Sequence, residues 1–178
     1  ELWSKSELEA IGIYEVEFNN TNKKDEKWYI NTNQSFAFAD GKITASYGSA
    51  TAKAHADTLW TAQDETDGKI PTGKDVGDVA TEGLKTKLIR ILKKQAAGIL
   101  QDTDWYIVRK ADAGTAVPSA ITNHRAAVRT KAAEMETAIT NASDTPALET
   151  LYAYVNTADE GDPEVIERPL GELPELES

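Results

Sequence analysis

The apolar positions in the second half of the chain recur at the spacing of amphipathic helices. From Thr81 onward, large apolar residues repeat every three or four positions, with lysines and arginines on the other faces, which is the period of a helix with one buried side. A second such stripe runs over residues 119–140. A third helix is indicated by Thr145 as its cap and Pro146 at its first position. The pattern therefore predicts a compact unit of three helices over residues 81–156.

In the first third of the chain, apolar and polar residues alternate as they do in strands. Asp40 and Gly41 separate two alternating runs and favour a two-residue hairpin of type I′. With these residues as the turn, Phe38 faces Ile43, and the large apolar groups of both strands share one face of the sheet. Residues 28–30 are expected to add a third strand, because a lone hairpin is marginal in water.

The remaining segments complete an α+β organisation with a small antiparallel N-terminal sheet. A short helix capped by Ser4 or Ser6 begins the chain, and the alanine-rich residues 49–62 have helical potential. The glycine-rich, aspartate-rich stretch that follows is typical of a long surface loop. The proline-punctuated C-terminus is too polar to pack as a domain and is expected to order only against a partner. The predicted parts are a small α+β domain (1–62), a linker loop (63–80), a helical domain (81–156) and an extended acidic tail (157–178).

Charge and composition narrow the classes of function. The 178-residue chain has 30 acidic and 19 basic residues, for a formal net charge of −11. Such a protein repels nucleic acid and anionic lipid, so we exclude direct DNA packaging and expect neither kind of partner. No stretch approaches the roughly 20 apolar residues of a membrane-spanning helix, and we expect a soluble chain. The sequence begins at Glu1, as expected of a processed chain or a piece of a longer one.

Two loop motifs approach ligand sites without matching them. Residues 68–75 are similar to a phosphate-binding loop, but Asp75 occupies the position of the hydroxyl residue that holds magnesium, and no strand precedes the motif. The acidic residues before Gly68 are similar to a calcium loop, but Gln63 and Lys74 occupy its first and twelfth positions. We therefore expect a solvated loop, with weak adventitious calcium binding as the alternative, and we expect no cofactor.

Candidate catalytic groups are few. The chain has no cysteine, which excludes disulfides, thiolate metal sites and cysteine nucleophiles. His55 and His124 lie in different predicted segments without a metal-binding partner at helical spacing, and we interpret both as helix-face or interface residues. Ser119 is better explained as a helix cap than as a nucleophile, because no glycine-bounded elbow surrounds it. We therefore predict that the protein is not an enzyme.

An aromatic run and three arginines are the best candidates for contacts with other molecules. Residues 105–108 provide a platform for a carbohydrate or a protein partner, or a buried connection between helices, and the buried interpretation is favoured because large aromatic residues usually bury. Arg109, Arg125 and Arg129 are expected to pair with carboxylates of this chain or of a partner. The local carboxylates within reach in sequence are Asp102, Asp104 and Asp112.

The succession of features in residues 84–140 resembles a module of known proteins. An apolar helix end is followed by a Thr-Asp-Trp break at residues 103–105, an extended segment, a proline, and a helix in which Arg125 and Arg129 frame an Arg-Ala-Ala-Val-Arg pattern. This succession resembles the C-terminal module of tailed-bacteriophage tail-fibre assembly proteins and related virion proteins. Residues 3–16 also look like the opening segment of such proteins. Members usually have an aromatic residue ahead of the first arginine, where this chain has His124.

The resemblance implies a component of a particle rather than an enzyme. We expect a virion structural protein of the tail or fibre region, made in the host cytoplasm and located in the virion, which joins neighbouring tail or fibre subunits and is oligomeric in the assembly. An assembly chaperone that is absent from the mature particle is the alternative, and a carbohydrate-binding host-recognition module is an alternative of another class. The residues expected to bind partners are Trp105, Arg109, His124, Arg125, Arg129, Pro163, Pro169 and Pro174.

Overall fold

A computed structural model describes residues 3–32 and 34–176 of the chain. Within these residues, helices combine with several short strand pairs, and the expected α+β class is confirmed. The chain divides into two compact units, residues 1–53 and 54–178. The division lies ahead of the 63–80 stretch that the sequence suggested as a linker, because residues 77–81 pair with residues 58–60 and hold that stretch in the second unit.

The first unit contains helix α1 (Lys5–Ala10) and a three-stranded sheet. Ser4 caps α1 in a capping box with Glu7, which confirms one of the two predicted caps. The sheet has the order β1 (Val16–Asn19), β4 (Lys42–Ser46), β3 (Ser35–Ala39). Strands β3 and β4 form the predicted hairpin with the predicted pairing of Phe38 with Ile43. The turn residues Asp40 and Gly41 have φ values of 51° and 73°, as a type I′ turn requires.

Two details of this unit differ from the prediction. The third strand of the sheet is β1, which runs parallel to β4, so the sheet is mixed rather than antiparallel. Strand β2 (Tyr29–Ile30) pairs with β5 (Thr51–Ala52) in a separate two-stranded sheet. The reason is burial: Trp28 and Tyr29 are core residues of this unit, whereas the hairpin residues Phe36 and Phe38 stay exposed.

The predicted helix over residues 49–62 is wrong. The segment instead forms β5 and β6 (Thr58–Leu59), and only its last residue belongs to helix α2 (Ala62–Thr66). Its backbone has other partners, since the carbonyls of Ala54 and His55 accept hydrogen bonds from the first residues of the next long helix. Strand β6 also pairs with β7 (Val79–Thr81), and this pairing attaches the intervening glycine-rich stretch to the second unit.

The second unit is built around the helices that the apolar stripes predicted. Helix α3 (Leu84–Gln101) and helix α5 (Ser119–Asn141) pack against each other, and α6 (Thr145–Tyr152) packs on α5. Helix α6 begins one position earlier than expected, because Asp144 rather than Thr145 is its cap and accepts a hydrogen bond from the Ala147 amide at 2.8 Å. The buried apolar residues of these helices are Leu84, Leu88, Leu92, Ala96, Ile121, Val128, Met135, Ile139 and Leu148.

Helix α4 (Asp104–Ala113) replaces the extended segment that was expected after the Thr-Asp-Trp break. Asp104 lies in its first turn and Lys110 in its last, where their charges complement the helix dipole. Gly114 ends the helix with a φ of 70°, the left-handed conformation in which glycine commonly terminates helices. The apolar run at residues 105–108 is therefore helical.

The C-terminal segment is ordered against its own chain, which corrects the prediction of an extended tail. Strand β8 (Val155–Asn156) pairs with β9 (Ile166–Glu167). Beyond β9, Leu170 is buried, and its amide donates a hydrogen bond to the Leu151 carbonyl at 3.0 Å. The prediction missed that this one leucine can dock on the end of α6.

Candidate protein-interaction surface

Helix α4 presents large apolar side chains to solvent. Trp105 is 50% exposed and Val108 is 65% exposed, so the prediction that residues 105–108 are buried is wrong. None of the residues of α4 is buried. Because a helix held by neighbouring elements presents its side chains in a fixed arrangement, α4 offers a rigid, partly apolar surface rather than a flexible loop.

Arg109 lies over the aromatic rings of α4. Its guanidinium carbon is 4.7 Å from the ring centre of Trp105 and 5.4 Å from that of Tyr106, and the two ring centres are 3.8 Å apart. The Nε of Arg109 is buried without a hydrogen-bond partner among the described residues. We call Trp105, Tyr106 and Arg109 the stacked cluster. Cation–π contacts of this kind stabilise the side chains by about 0.5–1 kcal/mol at exposed sites.

Arg125 anchors α4 to α5. It follows Ile121 by four residues and precedes Val128 by three, so it lies on the buried face of α5. Its guanidinium contacts Asp104 at 2.8 Å and donates hydrogen bonds to the Leu100 carbonyl and to the Thr103 hydroxyl, both at 2.7 Å. The predicted local pairing is thus confirmed for this arginine with Asp104, and its charge is used within the chain.

Arg129 lies one turn beyond Arg125 and is exposed. One of its nitrogens donates to the Arg125 carbonyl at 3.3 Å, and no carboxylate among the described residues pairs with it. Lys110 of α4 likewise makes no ion pair within the part of the chain that the structure describes. Both cations line a groove of about 350 Å³ between α4 and α5, which we call the α4–α5 groove; its lining residues are Ile107, Lys110, Ala116, Val117, Thr122, Arg125 and Arg129.

His124 lies apart from the groove, in a cavity of about 530 Å³ that α3 and α5 form with the C-terminal segment. It is 9% exposed, and its ring makes no hydrogen bond among the described residues. Pro174 lines the same cavity.

The other two candidate prolines lie elsewhere. Pro163 is exposed in the loop between β8 and β9. Pro169 lies in a turn that is closed by a hydrogen bond of 2.8 Å from the Gly171 amide to the Arg168 carbonyl. The candidate residues are therefore divided among separate places.

Aromatic residues and an ion pair hold the C-terminal segment beside this cavity. Arg168 pairs with Glu172 at 2.5 Å, and the Tyr154 hydroxyl donates to Glu172 at 2.8 Å. The hydrogen bond to the Glu172 carboxylate raises the pKa of Tyr154, and burial raises the pKa of Tyr152. The segment is thus fixed by specific contacts.

Lys110 and Val117 are members of the groove that sequence reasoning missed. The groove exists only because residues 104–113 are helical, which places Ile107 and Lys110 three positions apart on one side of α4. Gly114, placed after an acidic start and a basic last turn, is the signal that favours a helix here.

The loop motifs offer no comparable geometry. Lys69 pairs with Asp67 at 2.8 Å and with Asp64 at 3.8 Å, and its hydrogen bond to Asp67 is the main cause that lowers the pKa of that carboxyl. Within residues 3–32 and 34–176, no group of three or more histidine, aspartate or glutamate side chains is arranged to hold a metal ion. The prediction that Ser119 caps a helix is wrong, because Ser119 is the first residue of α5 and Pro118 is at the cap position.

Comparison with known proteins finds no family model, no curated protein and no solved structure that matches this chain. Among the described residues, no helix is long and apolar enough to cross a membrane.

Proposed function

We propose that the protein is a non-enzymatic structural component of a tailed-phage virion, located in the tail or fibre region, where it joins neighbouring subunits through α4 and the α4–α5 groove. The single observation that supports this proposal is that α4 and the α4–α5 groove together carry the half-exposed ring of Trp105 and two cations that lack carboxylate partners in the described chain. The phage setting comes from the sequence resemblance over residues 84–140.

The chemistry of this surface suits a protein partner. Tryptophan, tyrosine and arginine are the residue types that most often dominate protein–protein interfaces. Trp105 is already held by its stacking contacts, so little side-chain entropy is lost when a partner covers it. Arg129 and Lys110 then select a partner with carboxylates at matching positions.

The interaction surface is tested by incorporation into particles. We expect Trp105→Ala combined with Arg129→Glu to reduce the amount of the protein in purified particles at least several-fold, because both the apolar anchor and the charge match are lost. Ile91→Ala is the matched control, since Ile91 is an exposed apolar residue on α3. Equal incorporation of the double variant and the control would contradict the proposed role of α4.

A tail-fibre assembly chaperone is the alternative within the same biology. Its surface requirements are the same, because a transient partner also needs an exposed anchor and a charge match. The C-terminal segment does not favour either role, since it packs on its own helical unit instead of extending toward a neighbour. Only the presence or absence of the protein in finished particles separates the two roles.

A carbohydrate-binding module is the alternative of another class, and the exposure of Trp105 and Trp3 favours it. Stacking against a sugar requires a free ring face, and Arg109 already covers one face of Trp105. Iodide should quench the fluorescence of both tryptophans, and only a sugar ligand would protect one of them. Protection of Trp105 by a sugar would support this alternative over the structural role.

A further inference from the structure

The segment between Ala153 and Arg168 is a separate acidic feature of the second unit. It comprises β8, β9 and the loop that joins them, and we call it the acidic hairpin. It contains no lysine or arginine, and none of its carboxylates forms an ion pair within the described chain. The carboxylates of its loop, all on exposed residues, are Asp159, Glu160, Asp162 and Glu164.

The acidic hairpin also exposes apolar side chains that it cannot bury itself. Val155 lies opposite Glu167 and Asn156 lies opposite Ile166, so the alternation of strand side chains places an apolar residue on each face of the pair. The exposed apolar residues of the hairpin region are Tyr154, Val155, Val165 and Ile166. A two-stranded pair of this size is marginal by itself, and a partner that covers one face would stabilise it.

The α4–α5 groove has the complementary chemistry on the same unit. Lys110 and Arg129 provide cations without carboxylate partners among the described residues, and Ile107 and Val117 provide apolar lining. The groove and the acidic hairpin share no residue. A contact between the groove of one copy and the hairpin of another is therefore heterologous, and it leaves a free groove at one end and a free hairpin at the other.

We propose that the acidic hairpin of one copy docks in the α4–α5 groove of a second copy, so that the chain associates head to tail. The inference deepens the proposed function by naming the neighbouring subunit, and it rests on that function for its biological setting. Charge complementarity selects a second copy as the partner. The groove of one copy offers cations without carboxylate partners, and the hairpin of the other copy offers four carboxylates without ion pairs together with exposed apolar residues. A contact of this kind closes into a ring or extends as a filament.

The contact is expected to be weak between isolated copies. The net charge of −11 produces repulsion between copies, and the matched charges act only at short range. In a ring, each copy makes two such contacts, and the second contact forms within the assembly at a high effective concentration. Self-association should therefore appear at high micromolar concentration and not at nanomolar concentration.

Sedimentation velocity over a concentration series tests the inference with three proteins. The groove variant carries Lys110→Gln and Arg129→Gln, and the hairpin variant carries Asp159→Asn, Glu160→Gln, Asp162→Asn and Glu164→Gln. We expect the wild-type chain to form species larger than a dimer. The association of each variant should be weaker by roughly ten-fold or more. An equimolar mixture of the two variants should form dimers and nothing larger, because each retains one intact half of the contact.

Matched controls separate this contact from unspecific effects. Lys74 and Lys94 are exposed and form no ion pair among the described residues, so Lys74→Gln with Lys94→Gln removes the same charge as the groove variant and should leave association unchanged. Circular dichroism must show equal melting temperatures for the groove variant and the wild type. A wild-type chain that stays monomeric throughout, or a groove variant that associates as the wild type does, would overturn the inference.

The failure of this inference can be told apart from the failure of the proposed function. A monomeric chain that still enters particles overturns head-to-tail association and leaves the structural role intact. A chain that self-associates through the groove but is absent from particles overturns the structural role and leaves the contact intact.

Discussion

Arg125 and Asp104 join helices α4 and α5 through a contact of 2.8 Å between a guanidinium nitrogen and a carboxylate oxygen. The side chain of Arg125 is 8% exposed and that of Asp104 is 56% exposed, so the pair links a buried cation to a largely solvated anion. Arg125 also donates hydrogen bonds to Leu100 near the end of α3 and to Thr103, which directly precedes α4. One side chain thereby fixes the position of α4, and with it the exposed surface that we assign to partner binding.

Replacing Arg125 with alanine should destabilise the second unit. The change leaves the Thr103 hydroxyl and the Leu100 carbonyl without this donor and opens space at a buried position, at a cost of about 2–3 kcal/mol in the free energy of unfolding. Urea unfolding followed by circular dichroism measures this cost. Arg129→Ala, at an exposed position one turn away, should cost no more than about 0.5 kcal/mol. Equal costs for the two variants would contradict the anchoring role of Arg125.

Two glycines of the second unit should respond to alanine in opposite directions. A Cβ at Gly83 would overlap the backbone of Ala56, so Gly83→Ala forces a backbone shift at the start of α3 and should cost about 1–3 kcal/mol. Gly98 lies on the exposed side of α3 with open space around it. Gly98→Ala should stabilise the protein by about 0.5–1 kcal/mol. Thermal melting of both variants checks the signs, and a shift in the same direction for both would contradict the close approach at Gly83.

The Asp57 carboxylate should make stability depend on pH. It accepts a hydrogen bond from the Gly83 amide at 2.7 Å and one from the Thr86 hydroxyl at 2.8 Å, and these bonds lower the pKa of Asp57, the amide bond most. Because the folded pKa is below the unfolded value, the stabilisation is present above the unfolded pKa and is lost as the pH falls through the folded pKa.

Asp57→Asn should therefore lower the melting temperature at neutral pH, and the difference from the wild type should shrink as the pH falls through the acidic range. Differential scanning calorimetry between neutral and strongly acidic pH measures both curves. Glu65→Gln is the control, because Glu65 is exposed and its side chain makes no bond among the described residues. A difference that stays constant with pH would contradict the role of this carboxylate.

Leu170 should control the order of the C-terminal segment. Leu170→Ala removes most of a side chain that is buried on the second unit, so the segment should detach more often and its amides should exchange with solvent faster. Hydrogen exchange with mass spectrometry detects the change in residues 168–173. Val165→Ala, at an exposed position, should leave their exchange unchanged. Wild-type exchange rates in the Leu170 variant would show that other contacts hold the segment.

The sequence predicted those parts of the fold that local patterns determine. The hairpin register follows from one turn dipeptide and an alternating pattern, and α3 and α5 follow from long apolar stripes. The parallel pairing of β1 with β4 was not predicted, because it joins residues far apart in sequence, here Val16 with Ile43. The helix prediction for the alanine-rich residues 49–62 is wrong because tertiary hydrogen bonds to α3 outweigh a weak intrinsic preference for helix.

The candidate site was only partly accessible to sequence reasoning. The ion pair of Arg125 could be anticipated in part, because Asp104 was one of the candidate carboxylates and the apolar stripe of α5 passes through the arginine. The exposure of Trp105 could not be anticipated, because a run of four large apolar residues usually indicates burial. The cations of the groove, Lys110 and Arg129, lie on two different helices. Their proximity depends on how α4 and α5 pack, which local sequence patterns do not determine.

The central claim, that this chain is a structural part of a tailed-phage virion, is tested most directly by quantitative mass spectrometry of intact, purified particles from the source that encodes it. We predict peptides of this chain, including the one that ends at Arg109, at many copies per particle and in a constant ratio to other tail proteins. Absence of these peptides from particles, with their presence in the lysate of infected cells, would contradict the structural role and favour the assembly chaperone.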